Sequence, residues 1–174
     1  MLGFLDKLKS GNSELIEWQN AVMSDKSQKL YVNKAQLEAV TLQMVSDNMR
    51  IFDDSASIIN STTKPDVFFS RLELAEEKLA NLVRIEPYIK NVKSITVNKS
   101  LSSSMKEFQE NRNRYIVDFL YRYYQSVKDK AEGMKTEKGK QNQFIKFQES
   151  LEPYIYQLND TNKKIFESMC QQKI

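Results

Sequence analysis

The chain has 174 residues, with 26 Lys and Arg against 23 Asp and Glu, one cysteine, four glycines, three prolines and no histidine. The absent imidazole removes the usual general base and the commonest metal ligand, which argues against most enzymatic and transition-metal chemistry. A hydrophobic share of 40% with 28% charged residues excludes both a disordered chain and a membrane-embedded one, and a formal charge of +3 nominates no partner by itself.

Residues 1–174 read as a single helical domain, a length that buries roughly 70% of the surface exposed by the unfolded chain. Its first element is a short amphipathic segment over 1–12, with Met1, Phe4, Leu5 and Leu8 on one side and Ser10-Gly11-Asn12 as its stop. Asp6 and Lys7 interrupt it before a signal-like apolar core can form, and no stretch approaches the roughly 20 apolar residues of a membrane span. With one cysteine there is no intramolecular disulfide, so the expected location is the cytoplasm. Ser13 then caps a helix to about Met23 whose inner stripe is Leu15, Trp18 and Val22, and Ser24-Asp25-Lys26-Ser27 makes a joint.

From about Lys29 to Asn60 neither proline nor glycine occurs, and apolar residues from Leu37 to Ile59 cover an arc of about 200° at 100° per residue. Such an arc predicts a central helix covered by several neighbours. A polar seam of Thr41, Asn48 and Ser55 runs down its middle. Either the hydroxyls bond back to helix carbonyls while Asn48 caps a loop or fixes register, or the seam lines a small-molecule pocket.

Thr62 or Thr63 with Pro65 starts the next helix, whose inner face is Phe68, Phe69, Leu72, Ala75, Leu79, Leu82 and Val83 and whose end or kink is Pro87. Residues 88–104 are expected to be the longest loop. A second long helix spans about Ser103 to Ala131 and stops at Gly133. Another begins near Thr136, carries Phe144, Phe147, Leu151, Tyr154 and Leu158 inward, and kinks or restarts at Pro153. Asp160 or Thr161 caps the last, with Ile165, Phe166 and Met169 inward. The pentapeptides Ile85-Glu86-Pro87-Tyr88-Ile89 and Leu151-Glu152-Pro153-Tyr154-Ile155 echo one another, which is too short to establish a repeat. The fold class is therefore all-α, an irregular bundle of about six helices with two long central ones.

Chemistry is sparse. Cys170 sits where a small apolar residue is ordinary, and Glu73, Glu76 and Glu77 alternate with Arg71 and Lys78 as a solvated surface does, so no catalytic residue, metal site or cofactor is expected. Gly133 to Lys140 resembles a phosphate loop but has five residues between its glycines and follows a helix. The most suggestive stretch alternates arginine with aromatic side chains from Arg112 to Tyr124. It admits three readings: core with flanking arginines, a protein-contact patch, or a base-stacking surface. The candidate partner-binding residues are Arg114, Tyr121 and Arg122, with Lys135, Lys138 and Lys140 at the following turn.

Asn60-Ser-Thr-Thr-Lys-Pro-Asp-Val-Phe-Phe-Ser-Arg-Leu-Glu-Leu-Ala-Glu-Glu-Lys-Leu-Ala-Asn-Leu82 resembles a segment of uncharacterised small helical proteins of Gram-positive bacteria and their phages or prophages. Lys135-Thr-Glu-Lys-Gly-Lys-Gln-Asn-Gln-Phe144 and Leu151-Glu-Pro-Tyr154 are similar to the C-terminal part of the same group. The resemblance implies a bacterial or mobile-element setting and assigns no residue a role. The expected function is a non-catalytic protein-interaction module, a phage or mobile-element factor acting on a host or defence protein, with self-association open. Nucleic-acid binding through the basic helix and turn, and small-molecule sensing through the seam, are the alternatives.

Overall fold

A computed structural model describes residues 34–89 and 101–171. The expected elements at 1–12 and 13–23, and most of the expected loop, lie outside the described residues. Helix makes up 93% of those described, with no strand among them. The elements are α1 (Lys34–Ser61), α2 (Pro65–Ile89), α3 (Leu101–Glu132), α4 (Glu137–Leu151), a 3-10 helix (Glu152–Gln157) and α5 (Asp160–Gln171). Three of them are long, at 28, 25 and 32 residues. At the edges of the expected loop, α2 runs on to Ile89 and α3 already begins at Leu101.

The described residues form two compact units, one from 34–52, 76–89 and 101–105, the other from 53–75 and 106–171. The boundary falls inside α1, α2 and α3. The first unit buries Met44, Leu79, Leu82, Ile85, Ile89 and Leu101. Its polar fastening is Glu86, a carboxylate only 8% exposed. The backbone N–H of Leu101 donates to Glu86 Oε1 at 3.0 Å, and the N–H and hydroxyl of Ser102 donate to Oε2 at 3.1 and 3.0 Å. Unpaired amides at a helix start favour an anion, so the acid on α2 caps α3 across fifteen residues.

The second unit is built on aromatic rings. Phe68 stacks on Phe119 with centroids 4.1 Å apart, Phe69 stacks on Tyr154 at 4.5 Å, and Phe147 joins Tyr123 at 5.1 Å to Phe166 at 5.7 Å. Ser150 donates to the carbonyl of Phe147 at 3.0 Å, which leaves its oxygen to accept from the Tyr123 hydroxyl at 2.8 Å. This polar chain lets a tyrosine edge the core without a stranded hydroxyl.

Local chemistry sets the helix ends. Pro65 occupies the first turn of α2, where its missing N–H is no loss. Thr136 caps α4 by accepting from the Gly139 N–H at 3.1 Å. At α5 the cap is Asn159, whose side-chain oxygen accepts from the Asn162 N–H at 2.8 Å, so neither Asp160 nor Thr161 fills that role. The helix α3 stops before Gly133 as expected, yet that glycine has no positive φ, so the stop owes nothing to left-handed backbone. The two Glu-Pro pentapeptides differ in structure. Pro87 lies inside α2 near its end, whereas Pro153 begins a 3-10 helix in which Glu152 is exposed.

Candidate functional site

On α3 the residues Phe108, Ile116, Phe119, Leu120 and Val127 are buried, which turns the opposite side of the helix to solvent. Arg114 and Tyr121 sit there, seven residues and about two turns apart, and Lys128 continues the same line. Tyr121 is 57% exposed. The guanidinium carbon of Arg114 lies 6.0 Å from the centre of the Tyr115 ring, the range of a cation–π contact at a wet surface.

Arg122 does not belong to this surface. Its Nη2 donates to the Ile59 carbonyl at 2.6 Å, and its Nε is buried without a hydrogen-bond partner. Ile59 stands in the last turn of α1, which carries no basic residue of its own, so Arg122 supplies the positive charge that the carbonyl end of a helix favours. Burial holds the guanidinium below its ordinary value, partly opposed by the charge of Asp118. The expectation that Arg122 is an exposed contact residue is thus corrected: the C-terminal end of α1 takes it inward. Arg112, at the start of the arginine–aromatic stretch, donates to the carbonyl and Oε1 of Gln157, both at 3.5 Å. Gln157 in turn donates to Glu73 at 2.7 Å.

The turn lysines do not join Arg114 and Tyr121 in one patch. From Arg114 to the end of α3 is about 27 Å at 1.5 Å per residue, and Lys135, Lys138 and Lys140 lie beyond it. Lys135 and Lys138 are exposed, while Lys140 is half-buried and pairs with Glu137 at 2.7 Å. The acids Asp129, Glu132 and Glu137 stand among these lysines and offset much of their charge.

All three seam residues are buried, with Thr41 and Asn48 in the first unit and Ser55 in the second. Asn48 donates to the Met44 carbonyl at 2.8 Å, one turn back on its own helix. It therefore takes the back-bonding role expected of the hydroxyls and caps no loop through that amide. The Ser55 hydroxyl, expected to bond back, has no partner. Another departure concerns the apolar arc of α1, where Leu42 and Met49 are 43% and 39% exposed instead of covered.

Two functional placements went unread in the sequence, the Arg122 cap and the Glu86 clamp. A signal for the first existed: a helix ending Ser57-Ile58-Ile59-Asn60-Ser61 lacks any cation to meet its own carbonyl end. Among the described residues no group of three His, Cys, Asp or Glu side chains is arranged to hold a metal, and no helix is long and apolar enough to cross a membrane. No protein-family model, curated protein or solved structure matches the chain.

Proposed function

We propose that the protein is a non-catalytic helical interaction module that binds another protein in the cytoplasm through the outer face of α3. In this reading the fold is an irregular bundle of about six helices with two long central ones. The setting is bacterial or phage, where such a module modulates a host or defence protein. The observation that carries the reading is Tyr121, a large aromatic ring 57% exposed with Arg114 two turns earlier on the same side. Tyrosine and arginine dominate binding hot spots because each offers wide apolar contact together with a directional donor.

Affinity capture from a native lysate with wild type, Arg114→Glu and Tyr121→Ala tests this. A partner retained by wild type and lost by both variants, at unchanged far-UV circular dichroism, supports the reading. The same partners on all three proteins would remove the surface.

A further inference from the structure

We propose that the outer face of α3 pairs with the same face of a second copy of this chain, the two helices antiparallel about a twofold axis between residues 117 and 118. The proposal rests on the reading of that face as a contact surface and names an occupant for it. Arg114 and Tyr121 share their line with the exposed Glu107, Glu110, Asp118 and Gln125 and with the half-buried Lys128, at steps of three or four residues. The stretch from Glu107 to Lys128 lies wholly within the second unit.

A twofold interface must be complementary to itself. Turned end for end about this axis, α3 sets Glu107 opposite the partner's Lys128, Glu110 opposite the partner's Gln125 and Arg114 opposite the partner's Tyr121, and each contact occurs twice. The Tyr121 ring, 57% exposed, then offers its face to a guanidinium that meets its own neighbour Tyr115 only at 6.0 Å, the outer limit of a cation–π contact. The two Asp118 carboxylates flank the axis, each about one turn from the partner's Arg114.

Other arrangements bring like charges together. A parallel pair about a twofold axis sets every residue against its own copy, Glu107 on Glu107, Arg114 on Arg114 and Lys128 on Lys128. Sliding the antiparallel pair by one heptad sets Arg114 on its copy and Glu110 on the partner's Asp118. Sliding it the other way sets Arg114 on the partner's Lys128 and Glu110 on the partner's Glu132. Like charges face to face are costly, so the order of charge along the helix selects one register. The face is about 32 Å long and a helix about 10 Å wide, so each copy covers roughly 300 Å², short of the about 800 Å² of a standard interface. The dimer is therefore weak and reversible, and a tighter partner displaces it.

Sedimentation equilibrium of the full chain at low salt, from micromolar to millimolar concentration, tests the pairing. Wild type should show a concentration-dependent dimer that weakens as salt rises. Glu107→Lys and Lys128→Glu should each weaken it about ten-fold, because each places two like-charge pairs in the interface. Mixed in equal amounts, the two variants should associate with one another at about wild-type strength, since every one of those pairs is again of opposite sign. That rescue also shows that both variants are folded. A wild type that stays monomeric at millimolar concentration would overturn the proposal, as would a dimer that neither variant weakens, or variants that do not associate when mixed. None of these outcomes bears on capture from a lysate, which can still return a different protein on the same face, so the two readings fail separately.

Discussion

The half-buried Arg122 and the fully buried Ser55 present opposite cases of a polar side chain taken from water. The Arg122 guanidinium satisfies the Ile59 carbonyl, and a hydrogen bond from a charged donor contributes about 1.5–3 kcal/mol. Urea titration of Arg122→Ala should show a loss in that range, and Arg122→Lys should recover only part of it, since a point charge on a flexible stem cannot copy the planar fork. Ser55 is fully buried and its hydroxyl meets nothing. Removing the oxygen in Ser55→Ala relieves an unmet desolvation penalty, so stability should hold or rise by up to about 1 kcal/mol in the same titration. Cys170 and Tyr124 give the pH dependence. Burial raises the Cys170 thiol above its ordinary 9.0, assisted by Glu167 and opposed by a hydrogen bond with Gln148. Burial likewise raises the Tyr124 hydroxyl above 10.0, with Cys170 adding to the rise. Both groups stay protonated in the folded chain at pH values where the unfolded chain ionises, so the unfolded state binds fewer protons there and stability falls as pH rises. Thermal melts should be flat on this account below about pH 9 and decline above it, less steeply in Cys170→Ala.

At the scale of elements, Gly133 in the turn after α3 and Gly139 in the first turn of α4 respond oppositely to a methyl group. A Cβ on Gly133 would meet the Lys130 and Asp129 carbonyl oxygens at 3.5 and 3.9 Å, ordinary contacts, and its backbone is not left-handed. Gly133→Ala should therefore stabilise by about 0.4–1 kcal/mol by restricting the unfolded chain. A Cβ on Gly139 would lie 3.0 Å from Thr136 Oγ1, an atom held in place by its bond from the Gly139 N–H. Gly139→Ala should show no gain in wild type and a clear gain in a Thr136→Ala background. That non-additivity in a double-mutant cycle measures the cap. The helices themselves were legible because Phe68, Phe69, Leu72, Ala75, Leu79 and Leu82 follow the 3.6-residue period that burial demands. The edge of α1 was not, because Leu42 and Met49 are as apolar as their neighbours and only the packing of other elements decides which apolar side chain is covered.

For the molecule as a whole, the all-helical class followed from scarce glycine and proline together with persistent amphipathic periodicity. The candidate surface was half legible. Arg114 and Tyr121 lie on the outer side of α3 as the helical wheel places them, whereas Arg122 was misplaced because its partner stands 63 residues away in sequence. No local pattern carries contacts of that range. The clamp at Glu86 is of the same kind and bears on how the chain survives damage. It fastens the C-terminal turn of α2 to the first amides of α3 without using any residue between 90 and 100. A protease nick in that interval should leave two fragments that migrate as one species on a native column and separate only in denaturant. Glu86→Ala should let the nicked halves part at lower denaturant, since it leaves the two pieces joined by the Arg122–Ile59 and Gln157–Glu73 hydrogen bonds and the aromatic packing between them.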